Sequence, residues 1–189
     1  LLRQIPYAND GNISYELVIE TINNDLANTL GNLVQRTISM GNKYFDGKIE
    51  NKRVYEDIDY DFIEKINALD AKIEALMDNL EIANSLEAIF EVLRASNKYI
   101  DETTPWVLAK DENNKERLET VIYNLLEAIR VCAVSFDFAI HNTSEEIFRQ
   151  LNTARKDGKY LETNKYQLNE PEMLFERINK EQFLTEHNL

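Results

Sequence analysis

Two polar side chains four residues apart, Asn32 and Arg36, are of the types that bind nucleic-acid bases. Residues four apart in an α-helix are neighbours on one face. An amide and a guanidinium placed this way offer a fork of donors and one acceptor to a planar partner, and such groups bind base edges and phosphates. The competing interpretation is that the pair belongs to the solvated face of an ordinary amphipathic helix.

The helix that must carry this pair shows two stripes of residues with a four-three spacing. The buried stripe consists of Leu26, Leu30, Leu33, Thr37, Met40 and Tyr44. The polar stripe, about 100° around the axis, consists of Asp25, Thr29, Asn32, Arg36, Ser39 and Lys43. We therefore predict a helix from Tyr15 to about Tyr44, capped by Ser14 and interrupted at residues 23–25, where an Asn or Asp caps a second start.

The sole tryptophan, Trp106, directly follows Thr104 and Pro105. This order predicts a threonine N-cap and a first-turn proline that start a short helix and fix the position of the indole. Two interpretations follow from the residues alone, because the indole either fills a gap in the protein or offers a flat surface on which a base stacks. Lys98 and Lys43 are candidate supporting cations, and ordinary surface charge is their alternative role.

The rest of the chain predicts an all-α bundle of about five helices. Apolar residues recur with a helical period over residues 62–80, 82–100 and 118–136, and a further helix opens at Thr143. A loop is predicted from Gly41 to Asp57. We divide the chain into a connector at residues 1–13, the bundle at 14–156 and a polar tail at 157–189 that packs on the bundle.

The formal net charge of −13 argues against a general nucleic-acid binder, so any RNA contact must be local. A single cysteine, Cys132, excludes an internal disulfide and is predicted to be a buried structural thiol, which fits a reducing compartment. His141 and His187 are far apart and next to no second ligand, so no metal site is predicted. No glycine-rich phosphate loop, paired catalytic carboxylates, signal peptide or membrane-spanning stretch is present, which predicts a soluble chain without catalytic activity of its own.

Four strings resemble, in the same order, the C-terminal anticodon-binding domain of methionyl-tRNA synthetases: N-D-L-A-N-T-L-G-N-L-V-Q-R, N-K-Y-I-D-E-T-T-P-W-V-L-A-K-D, L-E-T-V-I-Y-N-L-L-E-A-I-R and M-L-F-E-R-I. The resemblance implies a helical bundle that follows a nucleotide-binding catalytic domain, in an enzyme that joins methionine to its tRNA using ATP. It places the anticodon-reading asparagine and arginine on Asn32 and Arg36. It places the stacking tryptophan on Trp106, supported by Pro105.

The ATP-binding signatures and the zinc-binding insertion of these synthetases do not occur in this sequence. The resemblance therefore implies a fragment without a cofactor of its own, with ATP and possible zinc held by an absent N-terminal catalytic domain. The implied partners are that domain and the CAU anticodon stem-loop of tRNA(Met), with no DNA and no membrane, in the cytoplasm.

One departure from the family pattern lies between Phe136 and Ile147, where both of the family's prolines are missing. Without these prolines the preceding helix is free to continue past Phe136, so the sequence does not determine where the chain turns into the next helix. Two other functions remain as alternatives. One is the anticodon-binding domain of a synthetase for valine, isoleucine or leucine, and the other is a helical interaction module with no RNA role.

Overall fold

The computed structural model describes residues 2–3, 13–154 and 156–186. Most of the predicted connector and His187 lie outside these residues. The α-helices are α1 Tyr15–Thr21, α2 Asn32–Phe45, α3 Asp57–Asp78, α4 Ile82–Thr103, α5 Pro105–Leu108, α6 Lys115–Phe136, α7 His141–Leu151 and α8 Lys180–Glu186. A π-helical segment spans Ile22–Gly31, a 3₁₀ turn spans Glu112–Asn114, and two strands are β1 Lys48–Glu50 and β2 Lys165–Gln167. The predicted all-α class is confirmed, with one small sheet added.

Helix α6 is the centre of the bundle. Every residue from 117 to 133 is buried, as expected for a helix that is covered on all sides. Helices α2, α3, α4, α5 and α7 all contact it. Cys132 lies fully buried on this helix, and burial raises the pKa of its thiol, so the predicted structural role is confirmed.

Helix α2 ends at Phe45, which confirms the predicted helix end at about Tyr44. Gly41 lies inside this helix, so its assignment to the following loop is wrong. A Cβ at Gly41 would lie 2.5 Å from Cδ1 of Leu168, which follows β2. The glycine therefore allows close packing against Leu168 inside a helix and does not mark a turn. The predicted loop also contains β1, whose Ile49 pairs with Tyr166 of the antiparallel β2.

A buried polar cluster holds the segment after residue 156 against α6. The carboxylate of Glu127 pairs with the guanidinium of Arg130 at 2.7 Å and accepts from the Tyr166 hydroxyl at 2.5 Å. Arg130 also donates to the backbone carbonyls of Asp157 and Lys159. Burial and the nearby Glu127 charge raise the pKa of Tyr166 well above its ordinary value. Because each buried polar group in this cluster finds a partner, the tail is fixed to the core.

Helix α6 ends at Phe136, so the continuation that the missing prolines allowed does not occur. The amides of Ala139 and Ile140 both donate to the Phe136 carbonyl, at 2.9 and 3.0 Å. These two residues pack partly buried against the core, which turns the chain without proline. Helix α7 then begins at His141, two residues before the predicted start at Thr143, and no side chain caps it. In the parts of the chain that are described, no helix is long and apolar enough to cross a membrane.

Candidate functional site

The exposed face of α2 begins at its first residue. Asn32, Arg36, Ser39 and Lys43 are all exposed, whereas Leu33 and its neighbours toward the core are buried. This part of the predicted polar stripe is confirmed. No hydrogen bond or ion pair joins Arg36 to another described residue, so its guanidinium presents its donors to solvent. A cation without an internal partner is available to an anionic or planar ligand.

The helix before Asn32 changes its hydrogen bonding without a break, so the predicted interruption at residues 23–25 is wrong. The Asn32 amide donates to the Ala27 carbonyl, five residues back, and the Thr29 hydroxyl donates to the Asn24 carbonyl at 2.9 Å. The wider π-helical turn moves the earlier residues of the predicted stripe out of line. Asp25 and Thr29 are half-buried, and the exposed stripe starts at Asn32.

The C-terminal tail packs beside Gly31, at the start of α2. A Cβ at this position would lie 3.2 Å from the Leu26 carbonyl and 3.7 Å from Cδ2 of Phe175. A cavity of about 250 Å³ lies between the helix and the tail. Its lining includes Asn32 and Gln35 on the helix side and Met173, Phe175 and Arg177 on the tail side.

Arg177 is a candidate site residue that the sequence reasoning missed. Its guanidinium donates to the side-chain oxygen of Asn28, which also accepts from Nδ2 of Asn32 at 3.4 Å. A bond of 3.4 Å holds the Asn32 amide only weakly, so that amide remains available to a ligand. Arg177 belongs to the M-L-F-E-R-I string, but no local pattern indicates that this string lies beside α2.

Trp106 lies on the surface, with 42% of its area exposed, so it does not fill a gap in the core. Pro105 is buried beneath it, and Leu108 packs partly buried on the core, which fixes the backbone of α5. Thr104 occupies the predicted N-cap position, but its side chain makes no capping bond. Its backbone is left-handed, with φ of 42°, and its carbonyl accepts from the Val107 amide at 2.8 Å.

Two contacts show that the π-helical segment and α4 run in the same direction. Arg3 pairs with Asp25 on one side and with Glu87 on the other, at 3.5 Å for the second pair. Further along both helices, Nδ2 of Asn97 donates to the Thr29 carbonyl at 3.2 Å. The residue numbers rise together between the two contacts, by 4 on the π-helical segment and by 10 on α4, so the two helices run in the same general direction.

This direction places the α2 face and Trp106 at the same end of the bundle. Arg36 lies about two turns, or roughly 10 Å, beyond Thr29 on its helix. The end of α4 at Thr103 lies a similar distance beyond Asn97, and α5 with Trp106 follows at once. The fold therefore places at one end of the bundle three side chains of which the outermost two, Asn32 and Trp106, are 74 positions apart in the sequence.

The two predicted supporting lysines lie in different places. Lys43 is exposed on the same face of α2 as Arg36, with its Nζ 5.2 Å from the ring centre of Tyr44. Lys98 lines a groove between α3 and α4, and its Nζ pairs with Glu102 at 3.3 Å. Asp57 and Asp61 line the same groove, so Lys98 does not extend a positive surface.

The corner between α6 and α7 corrects the prediction for His141. Its Nδ1 lies 2.8 Å from Oδ1 of Asp137, and the ligand atoms of Asp137, His141 and Glu145 all lie within 4.8 Å of one another. The prediction that His141 lies next to no second ligand is therefore wrong. Lys156 already pairs with Glu145, so a metal ion would have to displace an ammonium group, and we assign no metal to these residues.

Comparison with known proteins identifies the family. The family described as the anticodon binding domain of methionyl tRNA ligase matches residues 50–187. The chain belongs to this family. The matched range contains Trp106, while Asn32 and Arg36 precede it. The predicted relationship to methionyl-tRNA synthetases is thus confirmed, and a synthetase for valine, isoleucine or leucine is not favoured.

Curated relatives match most of the length of this anticodon-binding domain. The methionine–tRNA ligase of Caldanaerobacter subterraneus is 42% identical over 191 residues, which cover 97% of this chain and 30% of that protein. The methionine–tRNA ligase of Clostridium perfringens is 49% identical over 153 residues, which cover 81% of this chain and 24% of that protein. This chain therefore spans about a quarter to a third of the length of these curated relatives.

A solved structure shares the fold of this anticodon-binding domain. Mycobacterium tuberculosis methionyl-tRNA synthetase in its apo form superposes with a TM-score of 0.87 at 30% identity. The match covers 94% of this chain and 37% of that protein.

Proposed function

We propose that this domain recognises the CAU anticodon of methionine tRNA through the exposed face of α2 and the indole of Trp106. The observation that carries the proposal is the placement, at one end of the bundle, of a guanidinium without a partner among the described residues, a weakly held amide and an exposed aromatic ring. Hydrogen-bond forks read base edges, and aromatic rings stack on unpaired bases, so the two kinds of group suit a single-stranded loop. A helical interaction module with no RNA role would not require these three groups to lie at one end of the bundle.

Each residue has a distinct role in this proposal. Arg36 donates charge-assisted hydrogen bonds to a base edge or a phosphate, and Asn32 donates and accepts on a neighbouring base. Trp106 supplies the stacking surface, with Pro105 holding its backbone. Lys43 lies about 10 Å beyond Arg36 on the same face and suits a phosphate of the loop. The supporting role of Lys98 stays a prediction, because its groove contains Asp57, Asp61 and Glu102 and, besides Lys98, one other lysine, Lys65.

The net charge of −13 requires this recognition to be local. Phosphate affinity comes from lysine and arginine, so a strongly acidic chain binds RNA only where a few cations are concentrated. We propose that a catalytic domain outside this sequence supplies most of the tRNA affinity, with residues 1–13 as its connector to the bundle of residues 14–156 and the tail of 157–189.

The whole enzyme in this proposal is a cytoplasmic methionine–tRNA ligase that attaches methionine to its tRNA at the expense of ATP. In this proposal ATP, and zinc where the enzyme holds it, are bound by the catalytic domain. The role of this domain in the proposed enzyme is to select the correct tRNA. DNA and membranes have no role in the proposal.

A titration with two RNAs tests the function. A labelled stem-loop with the CAU anticodon and a variant with one anticodon base changed are titrated with the 189-residue chain in the same low-salt buffer. One wrong base costs roughly 1–3 kcal/mol, so we expect the CAU loop to bind about five- to a hundredfold more tightly. Quenching of Trp106 fluorescence should accompany CAU binding. Equal affinity for the two loops would overturn the proposed function.

A further inference from the structure

The π-helical segment Ile22–Gly31 ends immediately before Asn32, and it determines which way α2 presents its polar face. A π-helical turn contains more residues than an α-helical turn, so it rotates every later residue about the helix axis. One added residue corresponds to a rotation of roughly 100°. Asp25 and Thr29 have turned away from the exposed stripe for this reason, while Asn32 and Arg36 remain on it.

π-Helices are rare, so contacts from other parts of the chain are expected to hold this one. The side chain of Asn23 donates to the Ile178 carbonyl and accepts from the Ile178 amide, both at 2.8 Å. The amide of Asn97 donates to the Thr29 carbonyl at 3.2 Å. The first contact ties the segment to the C-terminal tail, and the second ties it to α4.

Asn97 is the contact that links the two halves of the candidate site. The same Nδ2 also donates to the Leu93 carbonyl of its own helix at 3.1 Å. Helix α4 ends at Thr103, and α5 with Trp106 follows. One half-buried amide therefore joins the backbone that precedes Asn32 to the helix that precedes Trp106.

We propose that Asn97 is a positioning residue for anticodon recognition, because it holds the π-helical register and thereby sets the orientation of Asn32 and Arg36 relative to Trp106. This inference rests on the proposed function and adds a residue outside the groups that face the RNA. Asn97 acts through the backbone of Thr29. Loss of the Asn97 side chain therefore changes the geometry of the site without removing any side chain that faces the RNA.

The first test compares anticodon selectivity among three variants of the chain. Asn97→Ala removes the contact to Thr29, and Asn23→Ala removes the contact to the tail. Asn84→Ala is the matched control, because Asn84 is exposed on the same helix as Asn97 and, among the described residues, its side chain bonds only to that of Glu81. The measured quantity is the ratio of dissociation constants for a one-base variant and the CAU stem-loop, well below the melting temperature of each variant.

We expect Asn97→Ala to lower this selectivity ratio about fivefold or more, as disruption of a network next to a site does. Asn23→Ala should lower it as well, and Asn84→Ala should leave it unchanged. A purely structural role lowers the melting temperature without changing the ratio between two RNAs measured on folded protein. Unchanged selectivity in Asn97→Ala would overturn the inference.

A second measurement needs no RNA. The side-chain resonances of Asn32 and Arg36 are compared by NMR in the wild-type chain and the three variants. We expect both resonances to shift in Asn97→Ala and Asn23→Ala and to stay in place in Asn84→Ala. If the wild-type chain shows no preference for CAU, the proposed function fails, and this comparison alone decides whether Asn97 orients the α2 face. If the resonances of Asn32 and Arg36 were unchanged in folded Asn97→Ala, the inference that Asn97 orients the α2 face would be overturned.

Discussion

The guanidinium of Arg177 donates to the side-chain oxygen of Asn28, although 149 positions separate the two residues in the sequence. Asn28 lies one helical turn before Asn32 and bonds to it. The contact therefore brings a cation from the C-terminal tail to the edge of the cavity beside Asn32. In a chain with a net charge of −13, one such cation changes the local potential substantially.

Replacement of Arg177 tests whether this cation contributes to RNA binding. Arg177→Ala should weaken binding of the CAU stem-loop severalfold and reduce the slope of log K against log salt by about 1, the value for one phosphate contact. Arg149→Ala is the matched control, since Arg149 is also exposed and pairs with Glu146 on α7. Titrations over a range of salt concentrations measure both slopes. Equal slopes for the two variants would mean that Arg177 only holds the tail.

Replacement of Arg36 tests anticodon specificity. Arg36 has no partner among the described residues, so Arg36→Ala should leave the free energy of unfolding within about 0.5 kcal/mol of wild type. It should reduce discrimination between the CAU loop and one-base variants by roughly 1–3 kcal/mol. Parallel titrations with the two loops measure this difference.

Lys43→Ala provides the comparison for Arg36. A lysine that meets only a phosphate lowers affinity for every loop to the same extent. If Arg36→Ala also weakened all loops equally, Arg36 would be a phosphate contact and not a base reader.

The sequence predicted the long helices well, because each carries an apolar stripe that must face the core. It also predicted the exposure of Asn32 and Arg36, since a four-residue spacing on an amphipathic helix leaves little choice of face. The predicted polar stripe is wrong at Asp25 and Thr29, which are half-buried. A four-three spacing assumes α-helical geometry, whereas the π-helical segment contacts Asn97 and Ile178, which are distant in the sequence and which local spacing cannot indicate.

For a similar reason, local sequence patterns could not predict that the C-terminal tail contributes to the site. Arg177 reaches Asn28 because the tail packs along the bundle, with Phe175 beside Gly31. The hydrogen bond between His141 and Asp137 likewise depends on how the chain turns after Phe136. Periodicity describes one helix at a time, whereas these contacts depend on the packing of several elements.

Four buried tyrosines predict a loss of stability at alkaline pH. Burial is the largest cause that raises the pKa in each case, namely in Tyr99, Tyr123, Tyr160 and Tyr166. Unfolded tyrosine loses its proton near pH 10. The folded state retains the proton at higher pH, so this contribution is complete below about pH 10 and is lost as pH rises further.

Urea unfolding between pH 8 and pH 11 checks the alkaline prediction. The free energy of unfolding should be nearly constant up to about pH 9.5 and then fall, by up to about 1.4 kcal/mol per pH unit for each such tyrosine. Tyr166→Phe removes one of the four and should make the fall shallower. It should also lower stability at neutral pH, because Glu127 loses the donor that Tyr166 provides. A flat profile to pH 11 would contradict the assignment.

Replacement of Trp106 separates binding from stability. The indole is 42% exposed and stands on a backbone that the buried Pro105 fixes, so it loses little freedom when a base stacks on it. Such stacking is worth roughly 1–3 kcal/mol per base. Trp106→Ala should therefore weaken CAU binding by about ten- to a hundredfold with only a small change in melting temperature. Trp106→Phe keeps an aromatic face and should recover part of the affinity.

Phe136→Ala gives the contrasting case, because Phe136 is only 2% exposed and packs against Phe90. Truncation of a buried phenylalanine costs roughly 3–5 kcal/mol of stability. Thermal unfolding of Trp106→Ala and Phe136→Ala, run beside stem-loop titration of Trp106→Ala, distinguishes the two roles. A drop in melting temperature as large as that of Phe136→Ala would make Trp106 a structural residue. Its stacking role would fail if Trp106→Ala bound the CAU loop as tightly as the wild-type chain does.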